Sequence, residues 1–322
     1  MNHSSYFIEE KGLFGSYPTQ NSVNELEANG VRVFVDLTCN NEVITPYDTK
    51  YAYISFPIRD RCAPTDRISL SRFIISVSRI ISYLKQGEKI YVHCKGGHGR
   101  AGIIVACLLC YIQEISADEA LAYTLKCHGQ RNIMKPYWRV IGSPQTRYQK
   151  NFVRFMFEPI HIFNTSRLGH NNCLSNFAYI SVTVPNVGTF HTLEAAFQAH
   201  RNLENKEYVQ SQVQSQSAGY SKVLGRKCET SEMWISQHVN IMTYLINLKI
   251  EQHDFIRYYL LKTGLQRFGK YSLFDSYWSI GEDGKGKNIL GKIITKARDE
   301  LYFSHWVSNN LVGRGTVPAQ VL

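Results

Sequence analysis

A glycine-rich turn joins a strand-like segment to a helix-like segment in the first half of the chain. Lys89–Cys94 has the apolar and aromatic character of a buried strand, and the apolar run Ala101–Ile112 has that of a helix. Between them lie Gly96, Gly97 and Gly99. Glycine allows successive backbone N–H groups to converge on an anion, and a helix N-terminus favours negative charge. The sequence therefore predicts an anion-binding loop between a strand and a helix.

Strand-like and helix-like segments alternate through the rest of the first half. Short runs of β-branched and aromatic residues are typical of buried strands, and apolar residues at helical spacing indicate amphipathic helices. The predicted strands are Val31–Leu37 and Tyr51–Pro57, and the predicted helices are Ile68–Lys85, Ala117–Lys126 and Gln145–Phe157. The alternation predicts an α/β domain with a central, mostly parallel sheet flanked by helices.

The pattern changes around residue 158. Short aromatic strands are predicted at Ile160–Phe163 and Ile180–Val184, and the chain is then mostly helical from Thr192 to Leu301. After Ser304 no periodicity remains. A length of 322 residues also favours two domains. We therefore predict an α/β domain at residues 1–158, a mostly α-helical α+β domain at 159–305 and a C-terminal tail at 306–322.

Composition limits the class of protein. With 44% hydrophobic and 19% charged residues, wholesale disorder is excluded. The net charge of +10 favours anionic substrates. No apolar run reaches the ~18–20 residues that cross a bilayer, so no membrane insertion is expected. Eight cysteines in a chain of this length do not indicate a disulfide scaffold, and the first residues do not resemble a signal peptide. A cytoplasmic or other reducing intracellular compartment is the expectation.

The glycine-rich turn also carries residues suited to phosphate chemistry. Cys94 ends the predicted strand, and a thiolate is favoured beside a helix N-terminus and basic residues. Arg100, six residues later, can bind two phosphate oxygens in a bidentate fork. Lys95 and His98 are expected to add positive charge. The predicted phosphate-binding residues are Lys95, Gly96, Gly97, His98, Gly99 and Arg100.

These residues resemble the signature of cysteine-dependent phosphatases, in which His-Cys is followed by five residues and an arginine. The resemblance is to the dual-specificity branch of the protein-tyrosine-phosphatase superfamily and covers approximately residues 21–157. It implies a phosphocysteine intermediate on Cys94, with Arg100 binding the phosphate. The family usually has Ser or Thr after this arginine, where this chain has Ala101. That hydroxyl helps the thiolate to leave, so either a slow enzyme or a non-catalytic phosphate-binding domain remains open.

The same resemblance suggests a general acid for the leaving oxygen. The segment 56–64 resembles the family's mobile loop, in which Pro-x-x-Asp is followed by a proline, and it places Asp60 as the acid. Asp66 is the alternative, although it precedes a predicted helix and could cap its first turn. Gln149 matches a later family glutamine near the site, and a solvent-exposed helix position is an equal alternative for it.

Residues that could do chemistry are sparse in the second half. Glu194 lies in the first turn of a predicted helix, where a carboxylate is often structural. Trp234 lies on one face of another predicted helix and could belong to the core. Asp275 and Trp278 precede a glycine-rich loop, which is a weak indication of phosphate binding. Composition alone indicates only an anion-tolerant helical domain.

Taken in order, these segments resemble the NADAR (YbiA-like) family of N-glycosidases between about residues 162 and 301. The matching elements are Leu174–Phe177, Thr192-x-Glu194, Phe197–Ala199, Ser221–Arg226, Trp234, Met242, Lys249, Leu260-Leu261-x-Thr263-Gly264, Asp275-x-x-Trp278 and Gly286-Lys287-Asn288-x-Leu290-Gly291. The resemblance implies that the active-site residues are Glu194, Trp234, Asp275 and Trp278. Weaker substrate-binding candidates are Asn176, Phe177, Lys222, Arg226, Lys287 and Asn288. Departures at Ala195, Lys270 and Ser279 leave the choice of substrate open.

The residue types suit cleavage of a ribosyl C–N bond. One carboxylate can stabilise an oxocarbenium-like transition state, and a second can activate water or protonate the leaving base. Tryptophans can stack on a flat base and exclude water. We expect Glu194 and Asp275 to form the pair, with their acid and base roles unassigned.

The two resemblances together imply a bifunctional hydrolase. The first domain is expected to act on phosphomonoesters, such as a phosphorylated protein, and the second on a phosphoribosyl or ADP-ribosyl base. Two alternatives remain. In one, the domains bind phosphate and ADP-ribose without catalysis. In the other, the first domain acts on nucleic acid, at RNA 5′ ends. Neither reaction requires a cofactor or a metal. The spacing Cys107-x-x-Cys110 lies in an apolar helix and is interpreted as core rather than a metal site.

Overall fold

The computed structural model describes residues 3–157, 161–164 and 173–310, with side chains in 3–157 and 173–304. It divides into two compact units. Among the described residues, the first unit contains 3–157 and 302–310, and the second contains 161–164 and 173–301.

The first unit has a mixed sheet with flanking helices. Its elements in chain order are β1 (Ser4–Ile8), β2 (Gly12–Ser16), α1 (Gln20–Ala28), β3 (Val31–Asp36), β4 (Ala52–Ser55), α2 (Arg67–Tyr83), β5 (Lys89–Cys94), α3 (Arg100–Ile112), α4 (Ala117–Gly129), α5 (Pro136–Ile141) and α6 (Arg147–Phe157). All the strands and helices predicted in this half are present, with ends shifted by a few residues. The sequence patterns did not predict β1, β2, α1 or α5.

The sheet has the strand order β1-β2-β5-β3-β4. Strand β1 pairs antiparallel with β2, while the β2–β5, β5–β3 and β3–β4 pairs are parallel. Ser16 at the end of β2 pairs with Cys94, and Asp36 at the end of β3 pairs with His93. The carboxyl ends of three strands therefore meet at one edge of the sheet, which is where ligands bind in parallel α/β folds.

Helix α3 packs almost entirely inside the first unit. Every residue from Arg100 to Cys110 is buried. Cys107 and Cys110 are fully buried, and burial raises the pKa of the Cys107 thiol well above its usual range. This environment agrees with the interpretation of these two cysteines as core residues.

The second unit is mostly helical. Its elements are β6 (His161–Asn164), β7 (Val182–Val184), β8 (Gly188–Phe190), α7 (Leu193–Ala199), α8 (Lys206–Gln214), α9 (Ala218–Lys227), α10 (Glu232–Gln252), α11 (Asp254–Lys262), β9 (Phe268–Tyr271) and α12 (Ile289–Asn310). Strand β6 pairs in parallel with β9, and β7 pairs antiparallel with β8. The first residue of the predicted strand 160–163 lies outside the described residues.

The end of the chain differs from the prediction. Helix α12 continues to Asn310, past the predicted helical end at Leu301 and into the predicted tail at 306–322. The turns before residue 302 bury Leu290 and Ile294 in the core of the second unit, and helix formation is cooperative, so it extends beyond the apolar pattern. The rest of the predicted tail, residues 311–322, lies outside the described residues.

Close packing of α7 against α9 shapes the second unit near its predicted site. A Cβ atom on Gly225 of α9 would lie 2.0 Å from Oε1 of Gln198 on α7. Only glycine at this position allows the two helices to approach so closely. The contact brings α9, which carries Lys222, next to α7, which carries Glu194.

Candidate active sites

Cys94 forms the floor of the predicted anion loop. It is the last residue of β5 and is 3% exposed. Gly97 has a φ of +75°, and a Cβ atom there would lie 2.4 Å from the carbonyl carbon of Gly15 on β2. The backbone N–H of Tyr17 donates to the carbonyl of Lys95 at 3.2 Å. The loop is thus held against β2, and glycine at position 97 permits this close approach.

Arg100 turns back from the start of α3 toward Cys94. Its guanidinium is 1% exposed, and Nη1 donates to the carbonyl of Ile58 at 3.0 Å. Both terminal nitrogens bind the carboxylate of Glu42, and Nη2 lies 3.2 Å from Oδ1 of Asp60. Burial opposes the charge, but the hydrogen bond to Glu42 and the negative charges of Cys94, Glu42 and Asp60 raise the Arg100 pKa. The buried Nε has no hydrogen-bond partner, so a donor remains for a bound oxyanion.

The two candidate general acids lie in different environments. Asp60 is 63% exposed and points to Arg100. Asp66 is the N-cap of α2, where its carboxylate accepts from the backbone N–H groups of Ile68 and Ser69 and from the Ser69 hydroxyl. These bonds lower the Asp66 pKa, with the Ser69 hydroxyl as the largest cause. Asp66 is therefore used in capping, and Asp60 lies at the site.

Glu42 was not identified from the sequence. It lies in the loop after β3, 58 residues before Arg100, and no motif surrounds it. Its other carboxylate contact is with the backbone N–H of Cys39 at 2.9 Å. The hydrogen bond from Arg100 is the main cause that lowers the Glu42 pKa, so this carboxylate is ionised and orients the guanidinium.

His98 and Gln149 surround the loop from the helical side. Nδ1 of His98 lies 2.7 Å from Nε2 of His128, and the His98 ring stacks on Trp138 at 4.4 Å. Burial, helped by the charge of Arg131, lowers the His98 pKa to about 4. His98 is therefore neutral at pH 7, in contrast to the positive charge expected from the sequence.

Gln149 is fully buried and its amide donates to the carbonyl of Cys62 at 3.1 Å. A Cβ atom on Gly99 would lie 2.9 Å from Nε2 of Gln149. Gln149 therefore packs against the anion loop, and the alternative of an exposed helix position is wrong. Lys95 and Gly96 are exposed at the mouth of the loop, where Lys95 can add positive charge.

His93 belongs to a buried polar network beneath Cys94. Its Nε2 lies 2.7 Å from the Tyr47 hydroxyl, and its Nδ1 lies 3.7 Å from Oδ1 of Asp36. The Tyr53 hydroxyl donates to Oδ2 of Asp36 at 2.6 Å. Burial lowers the His93 pKa to about 4 despite Asp36, so the folded protein holds this imidazole neutral.

This burial predicts that acid destabilises the first unit. Between about pH 6.5 and pH 4 the unfolded chain binds a proton at His93 that the folded chain excludes, so the free energy of unfolding falls as the pH falls. The loss is about 3 kcal/mol for His93 alone. We expect the urea midpoint to fall between pH 7 and pH 4 in the wild type and to fall less in His93→Asn. Equal pH dependence in the two proteins would contradict this prediction.

The predicted carboxylates of the second unit share one charged cluster. Glu194 is 6% exposed on α7 and accepts at 2.8 Å from the Gln198 amide. Lys270 Nζ lies 3.5 Å from Oδ2 of Asp275. Burial is the main cause that raises the Glu194 pKa, while the charges of Lys222 and Lys270 oppose it and that of Asp275 reinforces it. The structure therefore brings Glu194 and Asp275 together.

Asp275 is held by its own turn. Its Oδ1 accepts from the backbone N–H groups of Tyr277 at 3.1 Å and Trp278 at 2.8 Å. The sequence identified Lys270 only as a departure from the family pattern. Burial lowers the Lys270 pKa, although the neighbouring Asp275 and Glu194 raise it.

An aromatic cluster adjoins the carboxylates. Phe197, one turn after Glu194 on α7, packs against Trp234 at 5.5 Å and Trp278 at 5.7 Å between ring centroids. The indole Nε1 of Trp234 is buried without a hydrogen-bond partner. His238 was not identified from the sequence because it belongs to none of the matching segments. Its Nε2 lies 3.0 Å from the Tyr277 hydroxyl, and its ring lies 5.4 Å from that of Trp234.

The weaker substrate-binding candidates divide into two groups. The carbonyl of Asn176 accepts from the backbone N–H of Glu194 at 3.0 Å, and Lys222 acts on Glu194 through its charge. The Asn288 amide bonds the backbone of Lys270 and Phe268, so it joins β9 to α12.

The other three candidates are not tied to the carboxylates. Phe177 bonds the Ser175 hydroxyl through its backbone, and Lys287 lies over the Tyr277 ring at 5.5 Å. Arg226 is exposed, and in the described part of the chain no hydrogen bond or ion pair joins it to Glu194 or Asp275.

Within the described ranges, no group of three or more His, Cys, Asp or Glu side chains is placed to hold a metal ion. None of the described helices has the length and hydrophobicity needed to cross a bilayer.

Comparison with known proteins identifies the family of each half of the chain. A family model described as "Polymorphic toxin system, DSP-PTPase phosphatase" matches residues 11–114, and the NADAR domain model matches residues 162–302. The protein named "Putative tyrosine phosphatase 197R", from Invertebrate iridescent virus 6, is 32% identical over 297 residues, which are 91% of this chain and 90% of the relative. The chain belongs to this family, a phosphatase-like domain joined to a NADAR domain.

Relatives of the NADAR domain alone are also found. The N-glycosidase YbiA of Escherichia coli (strain K12) is 31% identical over 128 residues, which are 39% of this chain and 79% of YbiA. The solution structure of E. coli YbiA covers 51% of this chain and 96% of its own, with 26% identity and a TM-score of 0.41. The resemblances inferred from the motifs are thus confirmed for the family of each domain.

Proposed function

We propose that the chain is a bifunctional hydrolase, with a phosphomonoesterase site at Cys94 and an N-glycosidase site at Glu194 and Asp275. The observation that supports the first activity most strongly is the Arg100 guanidinium. It is buried, its terminal nitrogens are oriented by Glu42, and its Nε lacks a partner beside Cys94. A buried, preoriented cation with a free donor suits a phosphate dianion.

The proposed phosphatase reaction has two steps. The Cys94 thiolate attacks phosphorus and a P–S bond forms as the bond to the leaving oxygen breaks, with Asp60 donating a proton to that oxygen. Water then attacks phosphorus, the P–S bond breaks, and the thiolate is regenerated with release of phosphate. Arg100 and the backbone N–H groups of the loop stabilise the equatorial oxygens in both steps.

Hydrolysis of p-nitrophenyl phosphate by the full chain tests this activity. We expect metal-independent turnover that vanadate inhibits, and rapid quenching during turnover should trap a phosphate adduct on Cys94. Phosphate binding without turnover or adduct would assign the first domain to the non-catalytic alternative. A panel of phosphopeptides, 5′-phosphorylated RNA and lipid phosphates then ranks the substrate classes.

Glu42→Gln should weaken the phosphatase because the neutral amide no longer holds both terminal nitrogens of Arg100. Misplacing such a group costs up to about 100-fold in rate, and we expect kcat/KM to fall by about 10- to 100-fold. Steady-state hydrolysis of p-nitrophenyl phosphate provides the measurement. Glu88→Gln is the control, since Glu88 precedes β5 at the end opposite Cys94. Full activity in Glu42→Gln would show that Arg100 needs no orienting carboxylate.

In the second domain, the environments of the two carboxylates favour different roles. We infer that Glu194, whose pKa burial raises, is the general acid. Asp275, which accepts from two backbone N–H groups and lies 3.5 Å from the Lys270 ammonium, then faces the ribosyl carbon. Glu194 protonates the leaving nitrogen as the C–N bond breaks, and Asp275 stabilises the oxocarbenium that forms. Water then adds to that carbon and loses a proton. Trp234 and Trp278 supply flat surfaces for the base.

Release of free base from phosphoribosylamino-pyrimidines and from ADP-ribosylated bases tests this assignment. Chromatography detects the base and a reducing-sugar assay detects the ribosyl product in equal amount. Binding of ADP-ribose without release of base would instead favour a domain that binds ADP-ribose without catalysis.

A further inference from the structure

A buried positive charge lies beside the phosphatase loop and belongs to no signature motif. Arg131 follows α4 and is 2% exposed. Its Nη2 donates to the carbonyl of Phe14 at 3.3 Å, and its guanidinium lies 4.4 Å from the centroid of the Phe14 ring. Its Nε has no hydrogen-bond partner, and within the described residues no carboxylate lies within ion-pair distance of Arg131. A buried guanidinium without a counter-ion is costly, so an anion nearby is expected.

The contacts of Arg131 place it against β2, the strand that supports the loop. Phe14 is followed in β2 by Gly15, which touches Gly97 of the loop, and by Ser16, which pairs with Cys94. On the other side, His98 of the loop is bonded to His128, three residues before Arg131. The same end of α4 and the same part of β2 therefore support both the loop and the guanidinium.

The titratable groups around Arg131 leave one source of negative charge. His98 and His128 are neutral at pH 7, since burial and the Arg131 charge lower their pKa values to about 4 and about 3. Burial raises the pKa of Tyr91, whose hydroxyl donates to the Ser16 carbonyl. The remaining group is Cys94.

Arg131 itself stays positively charged. Burial lowers the pKa of Arg131 itself to about 10, and the charges of Tyr91 and Cys94 oppose this, so Arg131 remains charged at neutral pH. Arg139, the neighbouring cation, donates to the carbonyl of Arg131 at 2.6 Å.

We infer that Arg131 is a positioning residue of the phosphatase site, whose buried charge stabilises the Cys94 sulfur as a thiolate. The inference rests on the proposed phosphatase function of Cys94. It assigns two guanidinium groups to one sulfur: Arg100 binds the phosphate, and Arg131, packed against β2, acts on the nucleophile through its charge.

Alkylation of Cys94 by iodoacetamide tests the inference without any phosphatase turnover. The full chain is treated at pH 6.5, and the rate at Cys94 is read from its peptide by mass spectrometry, since seven other free thiols are present. The neutral variant Arg131→Gln should slow alkylation about tenfold, because removal of a nearby opposite charge lowers the thiolate fraction. The charged variant Arg131→Lys should stay within about twofold of the wild type.

Arg139→Met is the matched control, because it removes a neighbouring guanidinium whose bonds are to the backbone carbonyls of Gly129 and Arg131. It should alkylate at the wild-type rate. The inference is overturned if Arg131→Gln reacts as fast as the wild type, if Arg131→Lys is slowed equally, or if Arg139→Met is slowed as much. If Arg131→Gln does not fold, Arg131→Met replaces it as the neutral variant.

Hydrolysis of p-nitrophenyl phosphate is measured in parallel on the same samples. Fast alkylation in the wild type that depends on Arg131, without hydrolysis, would overturn the proposed function and retain the thiolate site. If hydrolysis persists and alkylation does not depend on Arg131, the proposed function is retained and the role of Arg131 is overturned.

Discussion

We expect Cys94→Ser to abolish hydrolysis of p-nitrophenyl phosphate and to leave release of base from the ribosyl substrate unchanged. Serine at position 94 lacks a thiolate at neutral pH. The two nearest imidazoles are already engaged, since His93 is buried and bonded to Tyr47 and His98 is bonded to His128, so neither is free to activate the hydroxyl. Loss of a nucleophile of this kind costs roughly 10⁴-fold or more. Initial rates of both reactions, measured on the same preparation, check the result.

Cys107→Ser is the matched control for this experiment. Cys107 is fully buried in α3, away from the sheet edge that carries Cys94, so its replacement should affect stability and not the chemical step. Retention of more than a few per cent of the phosphatase rate in Cys94→Ser would show that another residue is the nucleophile. An equal loss in both variants would point to a general loss of structure.

We expect Glu194→Gln to reduce the release of base by the second domain. The amide keeps the size and can still bond Gln198, but it has no proton to donate to the leaving nitrogen. Positioned acid catalysis contributes about 10²- to 10⁴-fold, so the rate of base release should fall by that factor while the phosphatase rate stays unchanged. Release of base, followed by chromatography, provides the measurement.

The pH profile separates this role from a structural one. A general acid must be protonated, so the wild-type rate should decline as the pH rises through the pKa of Glu194, which burial raises. That decline should be absent in Glu194→Gln. Glu207→Gln is a suitable control, because Glu207 is exposed in the first turn of α8. A wild-type decline that persists unchanged in Glu194→Gln would assign the titration to another group.

Local patterns predicted much of the fold in each domain. The segments β3, β5, α2 and α3 are recognisable because their side-chain periodicity reflects burial within the element itself. Strand β2 was missed because Gly12 and Gly15 weaken its strand pattern. Its pairing with β1 and β5, which lie on either side, makes it a strand.

The same distinction applies to the sites. Cys94, the three glycines and Arg100 are close together in sequence, and the turn they form requires those residue types. This glycine-rich turn could therefore be predicted. Glu42 could not, because the loop after β3 carries it to a guanidinium 58 residues away. The neutral state of His98 likewise depends on burial and on Arg131, neither of which is visible in the motif.

By itself, the sequence determined the family of each domain and predicted the glycine-rich turn that joins the strand ending at Cys94 to the helix beginning at Arg100. These depend on short runs in which spacing along the chain equals proximity in space. Only the tertiary structure set Asp60 beside Arg100 and Asp66 at the cap of α2, placed Lys270 at Asp275 and near Glu194, and packed Arg131 against Phe14 of β2. The physical reason is that electrostatic environments arise from burial and from charges on separate elements, which only the packing of the folded chain brings together.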